Sequence, residues 1–249
     1  MFKRIFWLTV ILLSVIHCRV AIAAPGINSA VEHSMLMIDE VQLERWAFDR
    51  ILRADDQTRI AHHEPRQQHF NGWSLRSVNG KPSSIDEQWQ FLQDFAPAQP
   101  ESKNKPLVEN RLTRMVQPDS LALLSKTEVS ARYSFSPRLN SIDQTSLADL
   151  VGLLWFDVKH QHITKVEIKS TAPLNSTSGV IFSDFNLTLT FVREQGFVLP
   201  QRVEMRFEGQ VDGLNVFAQD TQQSYQNYQL IFPPPTFAER LISDKQANM

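Results

Sequence analysis

The sequence predicts a mainly β chain with helical inserts: a strongly curved antiparallel sheet covered by helices on its concave face. Three observations carry the expectation. Several stretches alternate apolar and polar residues at every second position, the pattern of a sheet packed on one side only. Turn dipeptides separate these stretches. Two segments instead place their apolar residues at helical spacing.

The chain opens with MFKR, then a twelve-residue apolar run, IFWLTVILLSVI, and reaches Ala21-Ile22-Ala23. A charged start, a short apolar run and a small-x-small site are the order of a secretory signal peptide, here residues 1–23. The run is short for a membrane span, which takes about 20 residues. Cys18 is the single cysteine and falls inside this leader. His17 precedes it, where a lipidated cysteine has a small residue. The mature chain is then expected to hold no thiol, disulfide or cysteine ligand. Without Lys3, Arg4 and Arg19, 22 basic residues face 27 acidic ones. A mildly acidic chain without a basic cluster argues against a nucleic-acid partner. Beyond residue 24 no apolar run approaches spanning length, so no integral membrane span is expected in the mature chain.

Residues 29–42, SAVEHSMLMIDEVQ, read as the first helix, with Val31, Met35 and Ile38 on one stripe and a capping box of Ser29 and Glu32. The period then changes to two. Trp46, Phe48 and Leu52 alternate with Arg45, Asp49 and Arg53. The same alternation runs through GWSLRSV, EVSARYSF and QRVEMRFE, and most cleanly through DFNLTLTFVR. LVGLLWFDV, residues 150–158, is apolar at both parities and reads as a strand buried on both faces. Asn79-Gly80, Lys159-His160, Gln195-Gly196 and Asp212-Gly213 supply the turns. About nine or ten strands result, mostly joined as a meander.

The stretch SVNGKP, residues 77–82, shows how strand passes to helix. Asn79-Gly80 offers the positive φ of a tight turn. Pro82 cannot continue a ladder. Ser84 and Glu87 form a capping box, and Ile85, Trp89, Leu92 and Phe95 make the stripe of a helix over 84–95. APAQPESKNKP, 96–106, reads as a linker. Residues 233–249 read as a polar tail after a domain spanning 24–232.

No catalytic constellation is present. There is no G-x-S-x-G or H-E-x-x-H, and eight glycines form no phosphate loop. His62 with His160 or His162 would meet as metal ligands only if their strands are neighbours; the plainer reading, polar residues at strand ends, is favoured and no metal or cofactor is assigned. Asp55-Asp56 reads as a solvated hairpin tip. Sixteen Phe, five Trp and three Tyr remain. Aromatic stripes on strands fill a core or line a cavity, and a binary pattern serves both.

WSLRSVNGKP (Trp73 to Pro82) followed by a helix resembles the periplasmic lipoprotein-carrier proteins, the lipoprotein-localisation (Lol) factors and their outer-membrane lipoprotein-sorting-like relatives. So do the later runs GLLWFDVKHQHITKVEI, LPQRVEM and SYQNYQL. The resemblance implies an incomplete β-barrel, or half-barrel, and a non-enzymatic periplasmic protein that binds acyl chains, lipids or lipoproteins in an apolar cavity. On that reading Trp46, Phe48, Trp73, Trp89, Phe185, Leu187, Leu189, Phe191, Met205 and Phe207 line the cavity, and the helices at 29–42 and 84–95 cover it. The Lol carriers use an arginine to regulate opening; Arg45, Arg50 and Arg76 are the candidates here. Two alternatives stand beside it. One is an envelope interaction module with a solid core and a protein partner. The other, less supported, is a hydrolase assembled from His62, His160 and Asp157.

Overall fold

Alternating stretches bury one face only if they pair edge to edge, and here they pair into a single sheet. A computed structural model describes residues 27–54, 56–67, 69–95, 111–211 and 215–232. The signal-peptide residues, the 96–106 linker, the Asp212-Gly213 turn and the 233–249 tail lie outside them. The order is helix α1 (Ile27–Asp39), strands β1 (Trp46–Ala54), β2 (Gln57–His63), β3 (Trp73–Val78) and β4 (Lys81–Pro82), then helices α2 (Ile85–Phe95) and α3 (Leu112–Met115). Strands β5 (Ala122–Lys126), β6 (Ser130–Phe135), β7 (Leu150–Asp157), β8 (His162–Ser170), β9 (Leu174–Asn175), β10 (Val180–Glu194), β11 (Phe197–Val211) and β12 (Asn215–Leu230) follow.

All twelve strands join one antiparallel sheet in the order β4-β3-β2-β1-β12-β11-β10-β8-β7-β6-β5, with β9 beside β10. It does not close, because β4 and β5 end the path separately. Two local meanders, β1 to β4 and β5 to β12, are joined by one long-range pairing between the first strand and the last. In that seam Trp46 faces Leu230 and Ala54 faces Thr221. A bulge sets Asn227 and Tyr228 opposite Phe48, with Asn227 at φ 60°. The extra residue lets β12 bend there.

The expected turns form. Asn79 and Gly80 take φ of 50° and 77°, and Gln195 and Gly196 take 51° and 87°. Ser84 accepts the Glu87 N–H at 3.2 Å while the Glu87 carboxylate accepts the Ser84 N–H at 2.7 Å, completing the capping box. α1 begins at Ile27 rather than at Ser29, so Ser29 lies inside the helix and not at its cap.

The 150–158 run departs from expectation. β7 buries Leu150, Gly152, Leu154 and Phe156 but leaves Val151, Leu153 and Trp155 partly or largely exposed. Its second face is the polar face of the sheet. Trp155 is accommodated there because cations cover its ring: Lys165 Nζ is 4.6 Å and the Arg132 guanidinium 5.1 Å from the ring centre.

The main core gathers on the other face. Val31 and Met35 of α1 pack with Leu112 and Met115 of α3 and with Tyr133, Leu154, Phe156, Ile163, Val166, Ile168, Phe185 and Leu187 from the strands. A second cluster centres on Trp46, Phe48 and Leu199, and a third on Ala61, Leu75 and Phe91 of α2.

Candidate functional site

Residues directly opposite in neighbouring strands share a face of the sheet. Following such pairs traces one row across the apolar face: Tyr133, Leu154, Val166, Leu189, Val203, Gln223, Leu52, Arg59, Val78. A neighbouring row runs Phe135, Gly152, Ile168, Leu187, Met205, Thr221, Ala54. Both rows change along their length. Tyr133, Leu154 and Val166 are completely buried, whereas Leu189, Val203, Gln223 and Leu52 are only partly buried. α1 meets β8 and β11, and α2 meets β3 near the far end. Between α1 and α2 the row is a half-open strip: Leu189 and Val203 on the border of the main core, then Gln223, Leu52 and Arg59.

The ten residues that sequence reasoning assigned to a cavity lining fall into three groups. Trp46, Phe48, Phe185, Leu187 and Phe207 are buried in packed clusters. Trp73, Leu189, Phe191 and Met205 are partly buried and border the strip. Trp89 stands 53% exposed on α2, which buries Phe91 instead. The two are two residues apart, so at about 100° per residue they point to nearly opposite sides of the helix.

Arg50 is the side chain that the alternation hid. It occupies the parity of Phe48 and Leu52, facing Tyr225 on β12 and Ala61 on β2. Its guanidinium lies 5.1 Å from the centre of the Trp73 ring. Desolvation draws its pKa down to about 10, against a smaller opposing effect of Tyr225. It remains cationic at any physiological pH. Burial raises the pKa of both Tyr225 and Tyr228, which stay neutral; their hydroxyls donate to Gln223 Oε1 at 3.0 Å and to the Pro200 carbonyl at 2.7 Å.

The polar face is held by charge ladders along its strands. Glu167 pairs with Lys165 and Lys169, Arg202 with Glu204, and Arg206 with Glu208. Burial works against ionisation of Glu167, but the two lysines outweigh it and lower its pKa. A polar cleft of about 340 Å³ lies among Asn186, Thr188, Glu204, Arg206, Asp220 and Gln222 on this face, and another of about 370 Å³ beside Arg114 and Arg138.

The histidines do not converge. Four strands separate β2, which carries His62, from β8, which carries His162. His62 Nδ1 lies 2.7 Å from Asp49, and burial of that carboxyl is outweighed by hydrogen bonds from Asn227 and His62 that lower its pKa. His160 Nδ1 contacts Asp157 at 2.9 Å at the β7–β8 turn. His62, His160 and Asp157 therefore form no common site. Among the described residues no group of three or more His, Cys, Asp or Glu is placed to hold a metal ion, and no helix is long and apolar enough to cross a membrane. Compared with known proteins, the chain matches no family model, no curated protein and no solved structure.

Proposed function

We propose that the chain is a non-enzymatic binding protein of the periplasm that holds acyl chains, as free lipids or as the lipid part of lipoproteins, against the half-open strip of its apolar face. The sheet is read as an incomplete barrel whose concave side is this face, with α1 and α2 as partial covers. The observation that carries the reading is the change in burial along a single cross-strand row, from Tyr133, Leu154 and Val166 with no exposed area to Leu189, Val203 and Leu52 with some. Leu189 and Val203 pack on the border of the main core and keep some exposed area, and Leu52 keeps some beside Gln223 and Arg59.

A fully buried methylene contributes about 0.8 kcal/mol, and a half-open surface returns a part of that for each one it covers. On this reading residues 1–23 direct export and are removed.

The test is lipid extraction of the purified protein followed by mass spectrometry, with titration of the delipidated protein by a solvatochromic fatty-acid probe. Co-purified lipid and saturable probe binding support the reading. Absence of both favours the envelope interaction module with a protein partner.

A further inference from the structure

The cleft of about 340 Å³ on the polar face lies over β10, β11 and β12. Two cross-strand rows build its floor. Asn186, Arg206 and Asp220 form one, and Thr188, Glu204 and Gln222 form the other. The second row is tied together. Gln222 Nε2 donates to Glu204 Oε1 at 3.1 Å, Arg202 donates to the same oxygen at 3.3 Å, and Arg53 donates to Gln222 Oε1 at 3.0 Å. On the β8 side Lys169 and Glu167, opposite Asn186 and Thr188, pair with each other. Three lining side chains are left unused by the fold. Asn186 Oδ1 is closed to solvent and has no hydrogen-bond partner among the described residues. The side chains of Thr188 and Asp220 make no hydrogen bond or ion pair among those residues. A shielded acceptor without a donor is costly, and folded proteins keep such groups few.

We infer that this cleft is a binding site for a neutral sugar, held through its hydroxyl groups. The volume suits one, since small-molecule sites begin at about 300 Å³. The lining selects the class. Six of its seven residues are polar or charged, so an apolar ligand would strip water from groups it cannot satisfy. The charges alternate in sign: Glu204 pairs with Arg202, Glu208 pairs with Arg206, and Asp220 stands opposite Arg206. An ion of either sign therefore meets a repelling group beside each attracting one. A hydroxyl both donates and accepts. It can give its hydrogen to Asn186 Oδ1, to Asp220 or to Glu204, and accept one from the Arg206 guanidinium or from Thr188. The tied Glu204–Gln222 row is already in place before the ligand arrives, which lowers the cost of ordering. The cleft lies on the opposite face of the sheet from the half-open row, so the inference is independent of any acyl chain there.

The test is titration of the isotopically labelled mature chain with glucose, galactose, mannose and N-acetylglucosamine, followed through its backbone amide chemical shifts. Saturable shifts with at least one sugar are expected, centred on residues 186–188, 204–206 and 220–222. Asn186→Ala and Asp220→Ala are each expected to weaken that binding severalfold. Asn186→Ala is also expected to leave the melting temperature unchanged or to raise it, because the amide serves the ligand and not the fold. No saturable shift with any of the four sugars overturns the inference. So do shifts centred elsewhere, binding unchanged in both variants, or a fall in melting temperature that accounts for the loss in Asn186→Ala. Tighter binding of ethylammonium or acetate than of every sugar would assign the cleft to an ion and overturn it too.

Discussion

Asp39, the last residue of α1, accepts the backbone N–H of Thr113 at 2.9 Å, in the first turn of α3, and that of Leu112 at 2.5 Å. The Thr113 hydroxyl donates to the same carboxylate. α3 has no side-chain cap of its own at Arg111. A carboxylate 73 residues away in sequence therefore does the capping, and it ties the two helices together over the main core. Asp39→Ala is expected to lower unfolding free energy in urea by about 1–2 kcal/mol, the range for loss of a cap. An unchanged denaturation midpoint would show the carboxylate to be dispensable.

Tyr133 is completely buried, and its hydroxyl has no hydrogen-bond partner among the described residues. Desolvation raises its pKa, so the phenol stays neutral. An unmade bond of this kind costs about 1–3 kcal/mol in desolvation. Tyr133→Phe is expected to leave the melting temperature unchanged or to raise it. A clear fall would mean that the hydroxyl is satisfied in solution.

Gly152 stands opposite Phe135 in the β6–β7 pair. A Cβ at position 152 would lie 2.4 Å from the Phe135 ring, well inside contact distance. The missing side chain is what allows the ring to lie across β7. Gly152→Ala is expected to destabilise the protein by about 1–3 kcal/mol through overpacking. Phe135→Leu in the same chain should recover part of that loss, which equilibrium unfolding of the single and double variants would show.

His162 is buried, and its Nδ1 has no partner among the described residues. Desolvation lowers its pKa below the ordinary 6.5, with Arg193 and His160 acting in the same direction and Asp157 against them. The folded state thus binds this proton less readily than the unfolded chain does. Its stabilising contribution is complete above pH 6.5 and is lost as pH falls through the folded-state value. Unfolding free energy is expected to decline below pH 6.5, and the decline to be shallower in His162→Gln. Equal pH slopes in the two proteins would remove His162 as the cause.

Much of the fold was legible. The alternation in 185–191 named the buried face of β10, and the capping box of Ser84 and Glu87 formed as read. Both are signals carried by residues a few positions apart. The pairing of β1 with β12 was not legible, because nothing local in Trp46–Ala54 names a partner some 170 residues on. The polar environment of Trp155 was hidden for a related reason: Lys165 and Arg132 come from flanking strands. Arg50 is the instructive case for the site. Its parity with Phe48 and Leu52 was visible, yet a charged residue in an apolar row is discounted by pattern alone. Only the cross-strand neighbours Tyr225 and Ala61, with the Trp73 ring two strands away, show that it sits on the apolar side. The division of the assigned lining into buried and half-open groups depends on where α1 lies, which no strand pattern contains.

The central claim is that the half-open strip takes an acyl chain. Titration of the delipidated mature protein with a solvatochromic fatty acid, alongside Val203→Asp, measures it most directly. Saturable binding by the wild type is expected, weakened about tenfold or more by a carboxylate placed in the middle of the strip, with both proteins folded by circular dichroism. No saturable binding by the wild type, or equal binding by the variant, would contradict the account.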